Sequence, residues 1–459
     1  MGEKQKKIQL ELAFMAEMRG ETPKPVHKGT ELPVAERETE HPAPEYLMEE
    51  VCERGNLKKA YQRVKSNKGS PGVDGMTVSE LAGYLREHWA EIKERLLKGT
   101  YVPQPVRSVE IPKPGGGRRV LKIPTVVDRF IQQALMQVLQ KKWDKDFSPQ
   151  SYGFRPSRSA HQAVKKAREY LTEGYAYVVD LDIEKFFDRV NHDMLMSQVA
   201  KRTDDKRVLR IIRASLVSGV MANGLVSPTA EGTPQGGPLS PLLSNLVLHE
   251  LDRELTRRKH RFVRYADDCN IYVKSERAGK RVMESIAGFI SHRLKLKINH
   301  AKSAVARPWE RTFLGFSFTR GLKKIRIAPS SLSRFHDRIR KLTRRTKGAS
   351  IEQMVEQLTR YLNGWKGYFG HCETPSTLRK LDSWIRRRLR CFLWKQWKRG
   401  ARRFHELTTR GIRDDLAAHT AGSTHGPWRI SRSPDLQKAL SNSYFASLGL
   451  SRLEPQRGA

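Results

Sequence analysis

Two adjacent aspartates, Asp267 and Asp268, are the residues of this sequence best placed to do chemistry. They end a Tyr-Ala-Asp-Asp tetrad set between two short runs of apolar, β-branched and aromatic residues, 261–265 and 269–274. These runs predict a β-hairpin that carries both aspartates at its tip. Neighbouring carboxylates repel one another, and a bound divalent cation offsets that repulsion. Because Asp is also common in ordinary turns, an acidic turn is the alternative for the tetrad taken alone.

A second acidic segment, 178–188, predicts a strand that runs into a helix. A third carboxylate at the end of this strand, placed beside the hairpin tip, would complete an oxygen site for two Mg²⁺ ions. Magnesium keeps several waters and favours one or two carboxylates together with substrate phosphates. Such an ion pair can hold the attacking and leaving oxygens of an in-line phosphoryl transfer. Asp180, Asp182 and Asp188 compete for this role, and capping the following helix is the other interpretation of Asp188.

Further motifs accompany the acids in a fixed order. They are Ile111–Arg119, Ile123–Arg129, Tyr152–Pro156, Asp182–Asp188, Gly232–Pro241 and Phe313–Phe316. Together with the Tyr-Ala-Asp-Asp box, this series resembles the reverse transcriptase/maturases encoded by bacterial group II introns. It is especially similar to the compact class that lacks an endonuclease domain. The similarity covers roughly residues 50 to 400 of the 459.

The resemblance assigns the catalytic acids. It implies that Asp182, Asp267 and Asp268 are catalytic, that Ile183 joins them in holding the metal, and that Asp180 is structural. The implied cofactor is Mg²⁺, as two ions, with Mn²⁺ as a substitute.

The resemblance also implies a nucleotide site. Three glycines, 115–117, permit a tight turn flanked by Lys113 and Arg119, whose cationic groups suit a triphosphate. A solvated basic hairpin is the alternative. In the family the matching residues, with Arg107 upstream, contact the incoming nucleotide, and Gln235 lies against the nucleotide and the templating base.

Two more residues are assigned by their register with the family motifs. Phe187 would lie under the sugar and exclude a 2′-hydroxyl, and a core phenylalanine is the alternative. Lys302 matches a lysine that protonates the pyrophosphate leaving group, and a solvated lysine is the alternative.

Composition indicates a nucleic-acid partner independently of the motifs. Lys and Arg number 86 against 49 Asp and Glu, a net charge of +37. Such an excess predicts polyanion binding that weakens steeply with salt. The sequence shows no transmembrane stretch or signal peptide, so we expect a cytoplasmic protein without a membrane partner. The four cysteines form no C-x-x-C pair, which predicts reduced thiols and no endonuclease of the paired-cysteine type.

The region after Pro329 predicts helices crowded with basic residues. Ser350 with Gln353 forms a capping box, and Thr374-Pro375 predicts another helix start. Aromatic residues, including Trp394 and Trp397, interleave with the cations, which is typical of surfaces that combine phosphate contacts with base stacking. Packing between helices is the alternative for about half of them. The resemblance identifies this region as the thumb, and the predicted RNA contacts are Arg387, Arg388, Lys395, Lys398 and Arg399.

We therefore predict an α+β right-hand polymerase, with fingers and a palm built on an antiparallel sheet, followed by an α-helical thumb/maturase domain. The predicted divisions are a mobile extension over 1–45, fingers and palm over 46–330, thumb over 331–400, and a basic DNA-binding region over 401–459. Such a protein copies RNA into DNA and binds group II intron RNA for splicing and retrotransposition. Its partners would be intron RNA, an RNA template, a DNA or RNA primer, target DNA and deoxynucleoside triphosphates. The alternatives are a freestanding relative recruited to DNA repair or phage defence, and an RNA-folding cofactor with incidental polymerase activity.

Overall fold

The structure is a computed structural model that describes residues 46–112, 116–222, 225–227, 231–232, 236–321, 323–344 and 348–454. The predicted extension over 1–45 lies outside these ranges, as do Lys113 and Gln235. By their internal contacts the described residues form two compact units. The first takes Tyr177–Val305 and the described residues before Val164, and the second takes Val164–Ala176 and the described residues from Ala306 on.

The first half of the chain is mixed in secondary structure. Its elements in order are α1 (Leu47–Val51), α2 (Arg54–Asn67), α3 (Leu81–Lys98), β1 (Val106–Pro112), β2 (Arg118–Ile123), α4 (Val126–Trp143), α5 (Ala160–Thr172), β3 (Tyr177–Leu181), α6 (Phe186–Arg189), α7 (His192–Ala200), α8 (Lys206–Val217), β4 (Val220–Ala222), β5 (Leu225–Ser227), α9 (Ser240–Arg257), β6 (Arg261–Tyr265), β7 (Asp268–Val273), α10 (Glu276–Arg293) and β8 (Ala304–Ala306).

Two four-stranded sheets occur in these elements. The first has the order β2-β1-β4-β5, with β1 and β2 forming an antiparallel hairpin. The second has the order β6-β7-β3-β8, and β7 pairs antiparallel with both β6 and β3. This second sheet is the predicted palm sheet. The α+β prediction is confirmed.

The palm sheet shares one apolar core with the helices of its unit, and among them α9 contacts β6 and α10 contacts β3 and β7. On α4, Ile131, Leu135 and Leu139 are buried at helical spacing, and Ile286 and Ile290 do the same on α10. The α10 face packs on β3 and β7, the strands that lead to Asp182 and Asp268.

The second half of the chain is almost entirely helical. Its elements are β9 (Phe316–Phe318), β10 (Ile325–Ile327), α11 (Pro329–Leu342), α12 (Ile351–Phe369), α13 (Pro375–Gln396), α14 (Gly400–Thr408), α15 (Asp414–Ala421), α16 (Pro427–Ile430), α17 (Pro434–Ala439) and α18 (Asn442–Ser447). The capping box of Ser350 with Gln353 is present at the start of α12, and α13 begins at Pro375 as predicted. Both starts follow from local chemistry, because the cap satisfies orphan backbone N–H groups and Pro suits the first helical turn.

None of the helices among the described residues combines the length and apolar character needed to cross a membrane.

Candidate active site

The Asp267-Asp268 pair lies at the tip of the β6–β7 hairpin, as predicted. Tyr265 pairs with Asp268, so Ala266 and Asp267 alone form the two-residue connection. Ala266 has a φ of 57°, in the left-handed region that glycine ordinarily occupies at this position of a hairpin turn. Both carboxylates are therefore presented by a short, strained turn, and Asp268 is already the first residue of β7.

Strand pairing brings the third carboxylate to the same place. β3 pairs with β7 so that Leu181 lies opposite Cys269, which puts Asp182, the next residue along, beside Asp268. The main chain of Asp182 is held on both sides: its N–H donates to Ser303 Oγ at 2.9 Å, and its carbonyl accepts from the Asn299 N–H at 2.8 Å. The adjoining residue Ile183 bridges to Ile298. No motif in the sequence indicated Asn299 or Ser303, which anchor Asp182 from more than a hundred residues away.

The acids influence one another electrostatically. The pKa of Asp268 is raised to about 7, first by loss of surrounding water and then by the negative charge of Asp267, Asp180 and Asp182. The Asp268 residue itself remains exposed, so solvent screens part of this effect. The Lys302 ammonium acts in the opposite direction and lies 3.7 Å from Asp182 Oδ2. A cluster that raises a carboxyl pKa in this way is one that a cation would stabilise.

The chemistry of this site suits Mg²⁺, which requires oxygen donors and accumulated negative charge. These would be provided by Asp182, Ile183, Asp267 and Asp268. In the described ranges, however, no three Asp, Glu, His or Cys side chains converge closely enough to enclose one ion. Waters and substrate phosphates would have to complete the coordination, as they usually do for Mg²⁺. The site therefore fits ions that are bound together with nucleotide and primer.

The raised pKa of Asp268 leads to a prediction for the metal-free protein. A folded-state pKa above the usual 3.8 means that the Asp268 contribution to stability is lost as pH rises from about 4 to about 7. Because Asn cannot ionise, the free energy of unfolding of Asp268→Asn should increasingly exceed that of the wild type over this window and level off above it. Urea unfolding in EDTA at several pH values measures the difference.

The control for this prediction is Asp193→Asn, which changes an exposed aspartate paired with Arg213 elsewhere in the same unit. This variant should show no such trend. Adding Mg²⁺ near pH 7.5 should shrink the difference between Asp268→Asn and wild type. A difference that does not vary with pH would contradict the coupling among the acids.

The residue predicted to select the sugar, Phe187, is half-buried on the short helix α6, where its ring meets the Phe186 ring edge-on. Its backbone lies against Gly232, where a Cβ atom would come within 2.8 Å of the Phe187 carbonyl oxygen. Buried His192 contacts the Gly232 carbonyl through Nε2 at 2.6 Å. Through these contacts Gly232, the first residue of the Gly232–Pro241 motif, is packed against the backbone of Phe187.

The capping interpretation of Asp188 is wrong. The following helix α7 is capped by Asn191, whose side chain accepts from the Met194 N–H at 2.9 Å. Asp188 instead lies within α6, and its N–H donates to the Lys185 carbonyl.

Of the fingers residues predicted to bind nucleotide, the structure gives backbone positions for Arg107 and Arg119 but does not describe Lys113. Arg107 lies on β1 opposite Ile123, and its buried Nε atom has no hydrogen-bond partner among the described residues. Arg119 lies on β2, and its main chain is opposite Ile111. The β1–β2 hairpin thus brings both arginine positions into one ladder, and the nucleotide contacts themselves stay a prediction.

Comparison with known proteins adds a family to this geometry. Residues 111–318 match the family of reverse transcriptases (RNA-dependent DNA polymerases), and residues 332–411 match the group II intron maturase-specific domain. Protein YkfC of Escherichia coli is 33% identical over 289 residues, covering 54% of this chain and 76% of YkfC. The group II intron-encoded protein LtrA of Lactococcus lactis is 35% identical over 247 residues, covering 54% of this chain and 40% of LtrA.

The chain belongs to the group II intron-encoded reverse transcriptases. It is an RNA-directed DNA polymerase that also carries the maturase domain, and its function is reverse transcription together with intron splicing and retrotransposition. Among solved structures, telomerase of Candida albicans bound to a telomeric RNA fragment has a TM-score of 0.41 and 15% identity, covering 67% of this chain and 63% of that one.

The maturase domain of this reverse transcriptase uses two of the predicted RNA-binding arginines internally. The Arg387 guanidinium lies 3.7 Å from the centre of the Trp428 ring and donates to the Trp428 carbonyl. Arg388 donates from Nε to Thr343 Oγ1 at 2.5 Å and lies over the Trp384 ring. Both side chains are partly buried, so part of their hydrogen-bonding capacity and stacking surface is used within the protein.

The other three predicted contacts differ from these arginines. Lys395, Lys398 and Arg399 are exposed at the end of α13 and the start of α14, and their side chains have no partner among the described residues. Of the interleaved aromatics, Phe392, Trp394 and Trp397 are buried in the helical core, and Trp384 and Phe404 pack against it. The aromatics therefore serve mainly as core, as the packing alternative holds. Of the five predicted RNA contacts, Lys395, Lys398 and Arg399 are the ones whose exposed side chains are accessible to phosphate.

Proposed function

We propose that this reverse transcriptase polymerises DNA at the hairpin tip through Asp182, Asp267 and Asp268, with two Mg²⁺ ions, for which Mn²⁺ substitutes. The observation that carries the assignment is the strand pairing that brings Asp182 beside Asp268 at the hairpin tip, where the charges of Asp267 and Asp182 help to raise the pKa of Asp268. When bound, the ions would neutralise the phosphates and lower the pKa of the primer 3′-hydroxyl. The three carboxylates and the main chain of Ile183 would hold them.

The other residues of the chain act on the nucleotide. Arg107, Lys113 and Arg119 bind the triphosphate, and Gln235 lies against the base pair. Lys302, whose ammonium lies 3.7 Å from Asp182 Oδ2, gives a proton to the departing pyrophosphate in this proposal. The template is RNA, and the primer is DNA or RNA.

Phe187 excludes ribonucleotides in this proposal. Phe187→Ala should remove the surface that meets a 2′-hydroxyl, so that ribonucleotide incorporation rises by about tenfold or more relative to deoxynucleotides, the range that one lost steric contact supports. Primer extension on one RNA template, with each nucleotide type in turn, measures the ratio. Phe186→Leu, a change to the buried neighbour, is the matched control. Unchanged discrimination in a folded, active Phe187→Ala would return Phe187 to the core.

In this proposal the intron RNA is bound by the exposed cations Lys395, Lys398 and Arg399, together with Arg387 and Arg388 on α13. The protein then acts as a cytoplasmic ribonucleoprotein that promotes splicing and inserts the intron into target DNA. Support comes from the net charge of +37 and from the maturase match over residues 332–411.

Crosslinking the full chain to RNA in its host cells, followed by sequencing of the bound RNA, tests the partner. Recovery of a group II intron RNA is expected. Recovery of cellular RNA without intron sequence, from a protein that still extends primers, would contradict the intron partner and favour a freestanding reverse transcriptase.

A further inference from the structure

The turn that carries the catalytic acids depends on a buried arginine. Arg264 lies on β6, two residues before Ala266, and its side chain is completely buried. A fully buried guanidinium is costly unless each donor is satisfied and its charge is paired. Here the charge is paired with Asp252 on α9, which accepts from Nε at 2.7 Å and from Nη2 at 2.6 Å.

The remaining donors of Arg264 point towards the turn. Nη1 donates to the Ala266 carbonyl at 2.8 Å and to Asn245 Oδ1 at 3.0 Å. Nη2 also donates to Ser151 Oγ at 2.8 Å. One planar group thus joins helix α9 to the backbone of the residue just before Asp267.

A second close contact lies at the backbone nitrogen of Ala266. At Gly153 an added Cβ would lie 2.3 Å from the Ala266 nitrogen and 2.9 Å from the Tyr265 carbonyl carbon, so only glycine allows this approach. Asn245 Nδ2 donates to the Gly153 carbonyl at 2.9 Å, which links the two contacts. Ala266 is therefore held at its carbonyl and closely approached at its nitrogen while it adopts the left-handed conformation, which a non-glycine residue adopts only under constraint.

We propose that Arg264 is a positioning residue for DNA synthesis, fixing through the Ala266 carbonyl the turn that presents Asp267 and Asp268. The inference rests on the proposed catalytic role of these acids. A lysine would keep the charge opposite Asp252, but one ammonium cannot reproduce the planar fork that reaches Asp252, Asn245, Ser151 and Ala266 together.

Arg264→Lys tests the role in the full-length protein. Loss of a group that orients metal-binding residues typically lowers metal affinity or activity by about 10- to 100-fold. We expect the Mg²⁺ concentration for half-maximal primer extension to rise about tenfold and kcat to fall about tenfold. The KM for deoxynucleotide should change by less than about twofold, because the proposed triphosphate contacts lie on the fingers.

Arg207→Lys is the control, because Arg207 forks onto Glu49 and Asp205 in the same unit without contacting the hairpin. It should lower the thermal unfolding midpoint without changing the Mg²⁺ dependence. If Arg264→Lys also loses only stability, with wild-type kcat and Mg²⁺ dependence, the inference is overturned.

A second change separates positioning from folding. Glycine adopts the conformation of Ala266 without strain, so adding Ala266→Gly to Arg264→Lys should restore part of the lost kcat. No recovery in a folded double variant would overturn the inference.

If Arg264→Lys does not fold, Asn245→Ala removes one partner of the same network and should raise the Mg²⁺ requirement by about twofold or more. An unchanged requirement would also overturn it.

The result for Asp267→Asn distinguishes the two levels of assignment. If Asp267→Asn extends primers at the wild-type rate, both the catalytic proposal and this inference are wrong. An inactive Asp267→Asn beside an unaffected Arg264→Lys removes the positioning role alone.

Discussion

Asp267→Asn and Asp182→Asn should each lower the rate of primer extension by about a thousandfold or more. Metal stabilisation of a phosphoryl transition state is worth several kcal/mol, and each 1.36 kcal/mol corresponds to a factor of ten in rate. Asn keeps the shape of the side chain but removes the charge that holds the ions. Single-turnover extension of a DNA primer on an RNA template, at saturating Mg²⁺ and deoxynucleotide, measures the loss.

The fold and the binding of nucleic acid should survive these changes, because the Asp182 main chain is held by Asn299 and Ser303 and not by its carboxylate. Thermal unfolding and template-primer affinity in EDTA check this. Asp193→Asn, which changes an exposed aspartate of the same unit that pairs with Arg213, should extend primers at the wild-type rate. Full activity of either catalytic-acid variant would remove the assignment of these residues.

Replacing Lys395, Lys398 and Arg399 together by Gln should weaken intron RNA binding and make it less sensitive to salt. Each lost phosphate contact lowers the slope of log affinity against log salt by about 0.7 to 0.9, so three should lower it by about 2 to 3. Between about 50 and 200 mM salt the wild type should therefore lose about 16- to 64-fold more affinity than the variant. Filter binding of the intron RNA across this range measures both slopes, and splicing should fall in parallel.

The matched control removes the same number of positive charges from α10. In it Gln replaces three exposed residues, Arg277, Lys280 and Arg281. This variant should bind the intron with the wild-type slope. Copying of a short generic template should suffer less in the 395–399 variant than splicing does. Wild-type affinity and slope in that variant would make these cations an ordinary solvated face. Arg387 and Arg388 are left intact, because changing them would also disturb their packing on Trp428 and Thr343.

Several features of the protein could be predicted because their causes are local. The alternating runs on either side of Asp267 and Asp268 define a hairpin, and the structure places its strands at Arg261–Tyr265 and Asp268–Val273. The capping box at Ser350 is likewise complete within four residues. In each case neighbours in the chain supply the hydrogen bonds or the buried face, so the sequence pattern contains the required information.

Tertiary structure decided which distant residues support the acids. Asp182 reaches Asp268 only through the register of β3 on β7, and it is anchored by Asn299 and Ser303, whose residue types alone indicate nothing. Charge patterns could not reveal that Arg264 is buried against Asp252. A basic residue looks the same in sequence whether its partner is a phosphate, a solvent molecule or a buried carboxylate.

The same limit explains the predicted RNA contacts. The sequence by itself determined the motif order, the net positive charge and the helical character of the region after Pro329. It could not separate Arg387 and Arg388, which pack against Trp428 and Thr343, from the exposed Lys395. Helical periodicity defines faces, but only the packing of the helices determines which face a neighbour covers, because burial depends on partners far away in the chain.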